Sequence, residues 1–179
     1  MLLWILIIAA SVILDQVSKL LVVSNMEYNQ SIVLIKNIFS LHYIHNEGAA
    51  FGMLSNHRWI FMVVTAIALI AMPVILYRYR KLHILFGISL SLFIGGAIGN
   101  MIDRVFLGYV VDFFEFTFVN FAIFNVADIC VVCGAAIMMV YVIFFDKEFL
   151  NDSKMRKNTE EVKTIDDGTN QENADDGNG

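Results

Sequence analysis

Four apolar stretches, each close to the length of a membrane crossing, decide most of what this chain can become. They run from Leu2 to Val23, Trp59 to Tyr77, Ile84 to Met101 and Ala127 to Phe145. A helix needs about 20 apolar residues to cross roughly 30 Å of hydrocarbon. A soluble helix keeps a polar stripe for water, and these four are apolar all round. At 58% hydrophobic residues in a chain of 179, there is too little charge to cover a water-soluble domain. The expected fold class is an all-α integral membrane protein with four transmembrane helices, filling one domain over residues 1–146.

The first stretch is read as a retained helix, not a cleaved leader. It has no basic leading region, runs on past Ala9, Ala10 and Ser11, and contains Asp15 and Lys19. Orientation follows from the bases in short loops. Arg78, Arg80 and Lys81 sit between the second and third stretches, and Lys147, Lys154, Arg156 and Lys157 follow the fourth. Positive loops stay in the cytoplasm, which places both termini inside and loops 24–58 and 104–126 outside. From Asn158 onward the chain holds seven acids against Lys163, more than the whole negative balance of −5. The acidity belongs to a tail (147–179) that is expected to be disordered and says nothing about a basic partner. No basic patch suits nucleic acid.

The outer loops carry structure of their own. Ser31 to Gly52 mixes Ile32, Val33, Ile35, Phe39, Leu41, Tyr43 and Ile44 with Asn and Gly. That composition predicts short strands and turns, a small β cradle on the membrane surface. Gly108 to Phe114 is extended and aromatic.

Ionisable groups in a membrane are expensive and mark function by default. Asp15 lies about 20 Å along the first helix at 1.5 Å per residue, in its outer half. Lys19 is one turn further on the same face, so the plain reading is an ion pair that fixes helix packing. Gly95 and Gly99 form a G-x-x-x-G that permits close helix approach. Asn100 needs partners for its amide in the membrane, whereas Asp103 and Arg104 read as an interfacial anchor. Cys130 and Cys133 read as small apolar side chains.

Two acids remain at the outer face. Asp112 is hemmed by Val110, Val111, Phe113 and Phe114. Asp128 opens the fourth stretch, where a plain cap is the alternative. The chain between them is long enough to fold back and join them. Two carboxyls in one site cannot easily both ionise, so one keeps a proton near neutral pH. The ionised one can take a proton from water while the other polarises a peptide carbonyl. They titrate as a unit, so the roles are not assigned by sequence.

Competing chemistries lack their signatures: there is no HExxH and no G-x-S-x-G. His42 and His45, three apart in a strand, point to opposite faces, so no metal and no cofactor are expected. A small proton-coupled transporter is the alternative function. It predicts acids through the membrane depth, yet the inner halves of the later helices hold none.

Five blocks carry a family resemblance over about residues 1–146. They are Asp15–Lys19, His45-Asn46-Glu47-Gly48-Ala49-Ala50-Phe51-Gly52, Gly95 to Arg104, Gly108 to Phe113, and Phe124-Asn125-Val126-Ala127-Asp128. In this order the chain resembles the bacterial lipoprotein signal peptidases, signal peptidase II. The resemblance implies a metal-independent aspartyl endopeptidase of the cell membrane. It implies cleavage of prolipoproteins before a diacylglyceryl cysteine, and inhibition by globomycin. It places Asp112 and Asp128 on the catalytic dyad. Asn46, Gly48, Asn100, Arg104 and Asn125 fall on positions that line the site or hold substrate backbone, and Asp15 and Lys19 on a supporting pair. Its partners are then lipid-modified prolipoproteins and membrane lipids, and it is expected to work as a monomer. The acidic tail departs from the family.

Overall fold

The structure is a computed structural model and describes residues 1–48, 58–79 and 83–145. The elements are α1 (Leu2–Asn25), β1 (Ser31–Ile35), β2 (Phe39–Asn46), α2 (Arg58–Arg78), α3 (Ile84–Phe106), β3 (Val110–Phe116) and α4 (Val126–Phe145). The chain divides into a unit spanning Met1–Met138 and a second, Met139–Gly179, that opens with the last turns of α4.

Three helices, α1, α3 and α4, are long and apolar enough to cross a bilayer. In α2 the fully described apolar stretch is Met62–Arg78, so a fourth crossing is not established by length and composition of the described residues. The acidic tail, the basic residues Arg80 and Lys81, and Ala49 to Gly52 lie outside the described residues.

The helices carry large exposed apolar side chains, among them Leu20, Ile70, Phe106 and Val132. Those faces suit lipid contact, where burial against protein is not needed. Inside, a buried apolar cluster of Trp4, Leu76, Leu90 and Ile94 joins α1, α2 and α3, and small or polar residues fill the closest helix contacts. A Cβ on Gly95 would come within 2.6 Å of the Ser11 Cβ, and one on Gly99 would collide with the Asp15 carboxylate. A Cβ on Gly96 would meet the Ala127 carbonyl. The G-x-x-x-G pair thus seats α3 on α1, and Gly96 beside it admits α4. Ser89 donates to the Gly134 carbonyl at 2.8 Å, a second tie between α3 and α4.

Helix α3 runs five residues past the expected Met101. Asn100, Asp103 and Arg104 therefore sit on a helix, at i, i+3 and i+4, and share one side of it.

The predicted cradle is a three-stranded antiparallel sheet in the order β1-β2-β3. Loops 24–58 and 104–126 both contribute to it. In the β2–β3 ladder Ile44 pairs with Asp112 and Asn46 with Val110, after an irregularity between Leu41 and Ile44. Phe114 makes a further antiparallel bridge to Phe124. That bridge returns the chain to the membrane just before α4. Val22, Met26, Tyr43, Val111 and Phe113 form the core joining α1 to the sheet.

Candidate active site

The sheet and the start of α4 bring Asp112 and Asp128 onto one residue, Asn125. Asn125 is the N-cap of α4. Its side-chain oxygen accepts the Asp128 amide N–H at 3.0 Å, and its own backbone N–H donates to Asp128 Oδ2 at 3.1 Å. This reciprocal pair is a capping box with Asp at the third helical position. The Asn125 side-chain NH2 meanwhile donates to Asp112 Oδ1 at 2.7 Å. One asparagine thus holds a carboxylate oxygen of each acid.

The other two oxygens have their own donors. Asn46 Nδ2 donates to Asp112 Oδ2 at 2.8 Å from across the β2–β3 ladder. Asn100 Nδ2 donates to Asp128 Oδ1 at 2.9 Å from α3. Asp112 is almost wholly buried, at 1% exposure. Burial and the neighbouring Asp128 carboxylate push its carboxyl up from 3.8 to about 7, against the pull of the two asparagine donors. At that value Asp112 holds a proton for about half the time at neutral pH.

Both acids line a cleft of about 470 Å³ with Asn46, Gly48, Asn100 and Arg104 on its polar side. Phe116, Phe121, Phe124, Ile129 and Val132 are among the apolar side chains that make the rest of the wall. A largely apolar cleft with a few convergent polar groups is the usual form of a binding site for a small or lipidic segment. The carboxyl pair sits where aromatic loops meet the helix ends.

The sequence family described as Signal peptidase (SPase) II matches residues 7–144. The chain belongs to the signal peptidase II family. It is therefore an aspartic peptidase. It is 45% identical over 148 residues to the lipoprotein signal peptidase of Clostridioides difficile (strain 630), covering 82% of this chain and 98% of that protein. It is 44% identical over 146 residues to the lipoprotein signal peptidase of Brevibacillus brevis, covering 81% and 98%. A bacterial membrane enzyme solved by the in meso method at 2.3 Å superposes with a TM-score of 0.74 at 32% identity, over 81% of this chain and 90% of that one. These matches carry no support for the transporter alternative.

In this member of the signal peptidase II family, all nine residues singled out by sequence fall in one connected region. Seven of them are the two acids, Asn46, Gly48, Asn100, Arg104 and Asn125, which are cleft-lining or bonded to the acids. Gly48 N–H donates to the Asn46 side-chain oxygen at 3.0 Å, which fixes that amide with its NH2 toward Asp112. The last two, Asp15 and Lys19, pair at 2.9 Å and are both buried. Asp15 also accepts the Ala127 N–H at 2.9 Å, one of the free donors at the start of α4.

Reading Asp103 as an interfacial anchor was wrong. It is 3% exposed, pairs with Lys19 at 2.9 Å and accepts the Val111 N–H at 3.0 Å, beside Asp112. Gln16 was also missed; it donates to Asp103 Oδ1 at 3.0 Å and to the Gly99 carbonyl at 3.2 Å. The signal was available, because Asp103 follows Asn100 by three residues and so shares its helix face. The two histidines have separate partners. His42 meets Glu115 and Asn29, and His45 stacks on Tyr109 with ring centres 3.7 Å apart. Among the described residues no group of His, Cys, Asp and Glu is placed to hold a metal ion.

Proposed function

We propose that Asp112 and Asp128 are the catalytic dyad, and that the enzyme removes signal peptides from lipoprotein precursors by cleaving before a diacylglyceryl cysteine. The observation that carries this reading is the single asparagine bonded to both carboxylates at the wall of an apolar cleft. The ionised acid takes a proton from a water, whose oxygen attacks the scissile carbonyl carbon. The protonated acid gives its proton to the carbonyl oxygen, forming a neutral tetrahedral diol. Collapse of the diol breaks the C–N bond and protonates the leaving amine, and the pair again shares one proton. Asn46, Gly48, Asn100 and Arg104 hold the substrate backbone, and the phenylalanine wall takes its apolar groups.

The wider assignment follows the same logic. We read α2 as a fourth crossing, residues 1–146 as the peptidase domain and 147–179 as a cytoplasmic acidic tail. Both termini then lie in the cytoplasm and the dyad at the outer membrane face, where the scissile bond of a transmembrane signal peptide emerges. The protein acts as a monomer, since both acids and all their donors come from one chain. The deciding experiment is cleavage of a diacylglyceryl-prolipoprotein by the purified protein in detergent, followed by gel shift, with and without globomycin. Asp112→Asn and Asp128→Asn are each expected to abolish turnover in a folded protein. Full turnover by either variant removes the dyad.

A further inference from the structure

We infer that Lys19 is a positioning residue that divides the two carboxyl roles: acting through Asn100, its ammonium keeps Asp128 as the ionised base and leaves the shared proton on Asp112. This rests on the dyad proposed above.

An ammonium has three N–H donors, and Lys19 spends all three at 2.9 Å on Asp15 Oδ2, Asp103 Oδ2 and Asn100 Oδ1. The third bond is the informative one. The Asn100 oxygen also accepts Asn125 Nδ2 at 3.0 Å, so two donors lock the Asn100 amide with its NH2 on Asp128 Oδ1. Hydrogen bonds in series polarise one another in a low-dielectric interior. Asp128 therefore receives a donor backed by a full positive charge. Among the described residues, the group behind the Asn46 donor on Asp112 is the neutral Gly48 N–H.

Two further observations point the same way. Asp128 lies in the first turn of α4, where the helix dipole favours an anion, whereas Asp112 lies on a strand. Asp128 is also partly exposed, while Asp112 is buried. The charged groups facing this network are Asp15 and Lys19 from α1, Asp103 and Arg104 from α3, Asp112 from β3 and Asp128 from α4. The other two arms of Lys19 set the backbone on both sides: Asp15 holds Ala127 N–H, and Asp103 holds Val111 N–H. Each arm ends next to one of the dyad acids.

The test is the pH profile of kcat/KM for wild type, Lys19→Met and Lys19→Met/Asp103→Asn. The double variant keeps the cluster's net charge unchanged and leaves an oxygen at 103 for Val111. The acid limb, which reports the base, is expected to move up by about one pH unit in both variants, while the alkaline limb stays. A lower rate with the acid limb unmoved, or movement of the alkaline limb alone, overturns the inference. Infrared titration of the protonated carboxyl stretch needs no turnover and reads variants that are inactive. In mildly acidic buffer that band is expected to vanish in Asp112→Asn and persist in Asp128→Asn; the reverse pattern also overturns it. If either Asp112→Asn or Asp128→Asn turns over at the wild-type rate, the dyad itself fails. If they are dead and the Lys19 profiles match wild type, only the role of Lys19 fails.

Discussion

Asp112 makes the protein less stable as pH rises, and the size of the effect follows from its burial. Its carboxyl moves from 3.8 to about 7 on folding. A carboxyl that binds its proton more tightly when folded favours the folded state below its unfolded pKa. That contribution is lost as pH climbs through the folded pKa. At ~1.4 kcal/mol per pKa unit, the loss between pH 5 and pH 8 is about 3 kcal/mol. Asp112→Asn removes this dependence and adds a fixed cost. An amide at 112 must face its NH2 toward the NH2 of either Asn46 or Asn125, each of which now donates to a carboxylate oxygen. Leaving one such buried donor unmatched costs about 1–3 kcal/mol at every pH. The informative quantity is therefore the slope. Thermal unfolding in detergent from pH 5 to pH 8 is expected to show the variant gaining roughly 6–12 °C relative to wild type. A constant gap between the two curves, or one that moves against the variant as pH rises, refutes the argument that Asp112 is protonated in the folded enzyme.

Three other expectations follow from the same geometry. Asn125→Ala breaks the α4 cap and both ties to the dyad, so it should lose about 1–2 kcal/mol of stability and nearly all turnover, read by melting and gel shift. Gly99→Ala presses a methyl group against the Asp15 carboxylate and should cost about 1–3 kcal/mol; melting unchanged from wild type would mean α1 and α3 are not held at this spacing. A chelator should leave cleavage unchanged, because His42 and His45 are engaged with different partners; loss of activity restored by zinc would contradict this.

Much of the architecture was legible because its signals are local. Span lengths, β-branched loop residues and the close-approach glycines each read out over a few positions. The capping box is equally local, but Asp128 alone was considered as a cap from sequence, whereas Asn125 holds that place. The rest of what escaped is non-local. The tie between Asn46 and Asp112, 66 apart in the chain, depends on the pairing of β2 with β3, and no periodicity in either loop specifies a partner. Asp103 was misread for a related reason. At a helix end an acid looks solvated, and only the arrival of Lys19 from α1 shows it to be buried. The proton's location is harder still, because it turns on which amides are locked by third residues.

Lys19 reaches Asn100 and Asp103 only when α1 lies against α3, and Asp15 meets Ala127 only when α4 has joined them. The side-chain donors around Asp112 and Asp128 come from β2, α3 and the start of α4, so they surround the two acids only after those segments have met. On the dyad proposed above, hydrolytic competence is then a product of assembly and cannot precede it.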